Sequence, residues 1–116
     1  MEVEVLIPEE RIRERVDELA AAIDRDYADT DEMVVVGVLK GSFIFVADLT
    51  RRLSVPRRVE FVAVSSYGVE GPAGEVRMEL DLRHPITGKD VLLVDDILDT
   101  GRTLSYLRRL LEAQEP

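Results

Sequence analysis

The chain has 116 residues, 24 acidic against 15 basic side chains for a net charge of −9, and no cysteine. That is enough for one domain over residues 1–116, lacks thiols for a disulfide framework, and is too acidic for a general nucleic-acid binder. No apolar run approaches the ~20 residues of a membrane span, and the acidic start lacks the basic flank of a secretory signal, so a soluble cytoplasmic protein is expected. Pro8 with Glu9 and Glu10 reads as a helix start, with acids at the positive end of the dipole. Ile12, Val16, Leu19, Ala20, Ile23 and Tyr27 then share one helical face, and Asp29-Thr30-Asp31 closes it. Met33 to Leu39 is a run too uniformly apolar for a half-exposed strand and belongs inside a parallel sheet. Lys40-Gly41-Ser42 interrupts it, and Phe43, Val46, Ala47 and Leu49 to Leu53 carry a helix that stops before Pro56. Val59 to Val64 is the next strand. Ser65-Ser66-Tyr67-Gly68 leads into a loop over 69–74 whose glycines and proline leave little to bury, and mobility is expected there. Residues 75–82 alternate as a half-exposed or edge strand does, and Pro85 to Gly88 is a turn. Val91 to Val94 reads as a short strand buried on both faces, and Leu104, Leu107, Leu110 and Leu111 mark the last helix. The order predicts an α/β fold, a mostly parallel sheet with helices on both faces. Ligands bind such sheets at the carboxyl ends of the strands.

The chemistry concentrates at the end of the last strand. Asp95 and Asp96 follow Val94 directly, Asp99 comes next, and Thr100-Gly101-Arg102-Thr103 opens the final helix. A small turn before a helix start offers free backbone N–H groups and the positive dipole end to an anion. Gly101 permits close approach, and the Thr100 and Thr103 hydroxyls add donors. Phosphate is the natural guest. The carboxylates suit what is attached to it: sugar hydroxyls, a metal ion, or a proton to be moved. Leu39-Lys40-Gly41-Ser42 is a second anion-friendly strand-to-helix turn. His84 is the single histidine; it reads as a surface residue, without the companions a zinc site needs. Arg108 and Arg109 read as solvated or interfacial.

An apolar strand, two acids, two apolar residues and Asp-Thr-Gly-x-Thr closely resemble the phosphoribosyl-diphosphate (PRPP) binding motif of the type I phosphoribosyltransferases. The turn at Leu39–Ser42 and the Ser65–Gly68 stretch resemble the 6-oxopurine (hypoxanthine-guanine) branch of that family. The resemblance implies transfer of 5-phosphoribosyl from PRPP to hypoxanthine or guanine, giving IMP or GMP and pyrophosphate with Mg²⁺. It implies that Asp95 and Asp96 hold the ribose hydroxyls, with metal ligation secondary, and that Asp99 takes a proton near purine N7. Thr100, Gly101, Arg102 and Thr103 would enclose the 5′-phosphate, Arg102 standing where the family often has lysine. Lys40 and Gly41 would receive pyrophosphate, behind a non-proline cis bond, and Ser66 and Tyr67 would lead a flexible loop that closes over the reaction. Partners are then PRPP and a purine base, with neither nucleic acid nor membrane, in a homo-oligomer. The family continues past this length, so the C-terminal part of the fold is expected to be missing. A non-catalytic PRPP- or nucleotide-binding regulatory module of the same fold is the alternative, and a receiver domain is disfavoured by the order of its acidic motifs.

Overall fold

A computed structural model describes residues 4–67, 75–97 and 101–116. Its elements are α1 (Glu9–Asp26), β1 (Met33–Leu39), α2 (Phe43–Arg52), β2 (Arg57–Tyr67), β3 (Glu75–Leu80), β4 (Asp90–Val94) and α3 (Arg102–Glu112). The strands form one sheet in the order β3-β2-β1-β4. β1 pairs in parallel with β2 and with β4, and β3 is antiparallel to β2, with a register irregularity at Ala63/Val64.

β1 sits at the centre because its residues can be buried on both faces. Met33 and Val35 face α1 and α2 in a core with Val16, Ala20, Ile23, Val46 and Leu49. Val34, Val36 and Val38 face the other way, packing with Val62, Ile86, Leu107 and Leu111 of the α3 layer. Alternation along a strand sends successive side chains to opposite faces, so a continuous apolar run is what a twice-covered strand requires. Helices cover both faces, as the sequence implies.

Several boundaries differ from the sequence reading. β2 begins at Arg57 and runs through Ser66 and Tyr67, whose backbones pair with Val76 and Glu75 of β3. The Ser-Ser-Tyr stretch is therefore strand rather than loop, while residues 68–74 lie outside the described residues. β3 ends at Leu80, two residues early, and forms the expected edge. Val91, Leu92 and Leu93 are only half-buried, against the expectation of burial on both faces. Among the described residues β4 has β1 as its one strand neighbour, which leaves its outer flank open. Ile12, expected on the packed face of α1, is 52% exposed, because burial along the helix begins only at Val16. Leu110 is exposed while Leu107 and Leu111 are buried.

Polar side chains fix the segments that lead into β2 and β4. The Asp24 carboxylate accepts the Ser54 and Val55 N–H groups at 2.9 to 3.2 Å, tying α1 to the segment after α2. Glu60, only 9% exposed, accepts the Arg83 N–H at 2.9 Å, and its Oε2 faces Arg58 Nε at 3.1 Å as an ion pair without hydrogen-bond alignment. Arg58 also donates to the Pro85 carbonyl at 3.1 Å. These bonds clamp the β3–β4 connection onto the sheet and seat Ile86, which is fully buried. His84 is on the surface, 3.8 Å from Glu60.

Candidate functional site

Two chain segments leave the sheet side by side. Parallel pairing sets Val94, the last residue of β4, opposite Gly37 of β1. The chain then enters the Asp95-Asp96-Ile97 loop on one side and the Lys40-Gly41-Ser42 turn on the other. Residues far apart in sequence thus meet at the carboxyl ends of neighbouring strands.

The Lys40 turn is tightly built. The Leu39–Lys40 peptide bond is cis, as the family resemblance implies. Ser42 is fully buried, and its hydroxyl donates to the Val38 carbonyl at 2.5 Å. The Phe43 N–H reaches the Lys40 carbonyl at 3.2 Å and the Val46 N–H the Ser42 carbonyl at 2.8 Å, locking the turn to the first turn of α2. Lys40 and Gly41 remain exposed. A cationic side chain and an accessible backbone at a helix start are chemically suited to a polyanion.

The acidic pair is ordered by its own backbone. Asp95 Oδ1 accepts the Asp96 N–H and Asp96 Oδ1 accepts the Ile97 N–H, each at 2.8 Å. Burial of the half-buried Asp95 carboxyl pushes its pKa up. The Asp96 backbone N–H opposes that shift, while the Asp96 side chain adds to it by hydrogen bonding and by charge. Asp96 and Ile97 are exposed. The Asp96 carboxylate also lies against Gly41: a β-carbon on that glycine would come within 2.1 Å of Asp96 Oδ2. This contact between the two turns has no signal in the sequence.

Gly101, with φ of 81°, is the N-cap of α3, a left-handed position that favours glycine. Arg102 and Thr103 form the first turn of α3. Asp99 and Thr100 lie outside the described residues, as does Gly68. Ser66 and Tyr67 end β2. The structure therefore brings together Lys40, Gly41, Asp95 and Asp96, and places Gly101, Arg102 and Thr103 where the chain enters α3. Two open grooves lie beside β4 and α1. One, of about 620 Å³, runs between β4 and α3, past Lys89, Val91, Leu93, Leu104 and Arg108, and does not include Asp95 or Asp96. The other, of about 610 Å³, includes Ile7, Leu19, Phe45 and Asp96. Both are of the size that small-molecule ligands occupy. Among the described residues, no group of three or more His, Cys, Asp or Glu side chains is gathered to hold a metal, and no helix is long and apolar enough to cross a membrane.

Comparison with known proteins agrees with the fold. Residues 6–116 match the phosphoribosyl transferase domain family. The chain is 46% identical over its whole length to the hypoxanthine-guanine phosphoribosyltransferase of Dictyostelium discoideum, covering 67% of that protein. It is 48% identical over 98% of its length to the hypoxanthine phosphoribosyltransferase of Salmonella typhimurium, covering 65% of it. Among solved structures it resembles the Trypanosoma cruzi hypoxanthine phosphoribosyltransferase in complex with the product IMP, with a TM-score of 0.89, 44% identity, and coverage of the whole chain and 68% of that one. The chain thus spans about two thirds of the length of these relatives.

Proposed function

The chain belongs to the phosphoribosyl transferase domain family, and we propose that its reaction is the transfer of a 5-phosphoribosyl group from PRPP to N9 of hypoxanthine or guanine, giving IMP or GMP. The observation that carries this reading is the meeting of the Lys40–Gly41 turn with the Asp95–Asp96 carboxylates at the carboxyl ends of β1 and β4. Its support is the similarity to hypoxanthine phosphoribosyltransferases, one of them in complex with IMP.

In this reaction the ribose C1–oxygen bond to pyrophosphate breaks and a C1–N9 bond forms. Asp95 and Asp96 hold the 2′- and 3′-hydroxyls, ionised carboxylates being strong acceptors for paired donors. Oδ1 of each accepts a backbone N–H of the loop, which holds the carboxylate in place. Lys40 and the Gly41 backbone receive the departing pyrophosphate. Thr100, Gly101, Arg102 and Thr103 enclose the 5′-phosphate at the α3 start, where the dipole favours an anion. Asp99 takes the proton that the purine loses at N7 as N9 bonds to the sugar. Ser66 and Tyr67, at the end of β2, lead the segment that excludes water from a cationic ribosyl centre. Asp95 and Asp96, adjacent hard oxygen donors at the loop after β4, would hold Mg²⁺. When bound, Mg²⁺ neutralises charge on the leaving pyrophosphate. The protein acts in the cytoplasm as a homo-oligomer, and Phe43 and Ile44, exposed on the first turn of α2, favour association of copies.

Isothermal titration of PRPP in the presence of Mg²⁺, followed by an assay of purine-dependent pyrophosphate release, tests the proposal. Saturable PRPP binding is expected. Absence of binding overturns the reading, and binding without release in a form spanning the relatives' full length would favour the regulatory module.

A further inference from the structure

Gly41 lacks a side chain for a reason that its own backbone does not supply. Gly88, with φ of 71°, and Gly101, with φ of 81°, occupy the left-handed region that favours glycine; Gly41 does not. Nor is it confined in a core, as Gly37 is between Val46 and Phe61, because Gly41 is exposed. The space its β-carbon would take is filled by one group. A carbon there would lie 2.1 Å from Asp96 Oδ2, 2.8 Å from Cγ and 3.3 Å from Oδ1.

We propose that Gly41 is a positioning residue for Asp96: its bare Cα forms the seat that sets the Asp96 carboxylate, so that the turn assigned to pyrophosphate also aims the group assigned to ribose. The proposal rests on the functional reading above and adds a mechanical link between its two subsites. Asp96 is held on three sides. Its N–H donates to Asp95, its Oδ1 accepts the Ile97 N–H, and its carboxylate rests on Gly41. A methyl group at position 41 takes the place of Asp96 Oδ2, and the carboxylate must then turn about its side-chain bonds to a different aim. Substitution of Gly41 should therefore damage the ribose contact.

A double-mutant cycle tests the link, using the chain itself, Gly41→Ala, Asp96→Ala and the double variant. PRPP affinity measured with Mg²⁺ should fall about tenfold or more on Gly41→Ala, and in the Asp96→Ala background the same glycine substitution should cost several-fold less. Equal losses in both backgrounds would overturn the proposal. Thermal melting of the same four proteins reads the contact without any ligand: Gly41→Ala should lower Tm only where Asp96 is present. Should the single variant fail to fold, the double variant is compared with Asp96→Ala; equal Tm values support the seat, and an unfolded double variant refutes it. If the parent chain binds no PRPP, the functional reading fails, and the melting cycle alone judges the Gly41–Asp96 link.

Discussion

Replacing Asp95 by asparagine separates what the acidic pair costs the fold from what it does for a ligand. Burial raises the Asp95 pKa above its ordinary value, with the Asp96 side chain adding to the shift and its backbone N–H opposing it. Between the unfolded and folded pKa values the folded chain binds more protons than the unfolded one, so stability falls as pH rises through that window. Below the unfolded value the group costs nothing, and above the folded value the whole penalty is present. Asparagine carries no charge, and its Oδ1 can still accept the Asp96 N–H that Asp95 now holds at 2.8 Å. Asp95→Asn should therefore be more stable than the parent at pH 7, and the difference should shrink as the pH falls towards 4. The site is only half-buried and solvent screens it, so the gain is below about 1 kcal/mol, or at most about 5 °C in Tm for a domain of this size. Ligand binding moves the other way. A hydrogen bond to a charged acceptor is worth ~1.5–3 kcal/mol and one to a neutral acceptor ~0.5–1.5, a difference of about 1–1.5 kcal/mol, so PRPP affinity should fall by about 5- to 13-fold. Melting curves from pH 4 to 8 and titration calorimetry with PRPP and Mg²⁺ read the two effects on one preparation. A Tm at pH 7 equal to or below the parent's, or a gain undiminished at pH 4, would refute the burial argument. Unchanged PRPP affinity would refute the hydroxyl-acceptor role.

Three further substitutions probe the rest of the structure. Asp99→Asn, in a form that turns over, should lower kcat by about 10²- to 10⁴-fold with PRPP affinity little changed, because the side chain keeps its shape and loses its basicity; an unaltered kcat would make Asp99 structural. Gly37→Ala sets a methyl group 2.8 Å from Val46 Cγ2 and 2.9 Å from Phe61 Cε1. Overpacking at the centre of the sheet should cost about 1–3 kcal/mol and lower Tm by roughly 5–15 °C; an unchanged Tm would mean that β1 and α2 part freely. Glu60→Ala strands Arg58 Nε and the Arg83 N–H. Urea unfolding should show a loss of about 2 kcal/mol, below the ~3–5 kcal/mol of a fully buried pair because the Arg58 side chain keeps partial contact with water, and a loss near zero would mean that the clamp is ornamental.

What the sequence discloses depends on whether the deciding neighbour is local. The Met33–Leu39 run is legible as a central strand because burial on both faces requires apolar residues at every position. The same pattern at Val91–Val94 misleads, since composition records what a strand tolerates and not how many strands flank it. Helical spacing includes Ile12 in the apolar face of α1, yet spacing cannot say where along α1 packing begins. Ser66 and Tyr67 extend β2 because their backbones pair with β3, a partner that local propensity does not register. The Glu60 clamp is hidden for the same reason: its partners come from β2 and from the connection after β3. The site residues, by contrast, are legible as residue types in a fixed order around Gly101, whose left-handed φ explains the glycine without reference to anything distant.

The relation between the two turns is a property of register. Lys40-Gly41 and Asp95-Asp96 are separated by three strands and a helix in sequence, and each can be read alone as an anion-friendly or acidic loop. They become one site only because β1 and β4 are adjacent, parallel, and paired so that Val94 faces Gly37. A slip of one residue in that pairing would turn the β4 side chains to the opposite faces and carry Asp95 and Asp96 with them. The register is fixed from within the cores, where Val94 packs on the α1–α2 side while Val91 and Leu93 pack on the α3 side. The aim of the Asp95 and Asp96 carboxylates is thus decided by the packing of apolar side chains in the two cores, and the Gly41–Asp96 contact is where that packing joins the two turns.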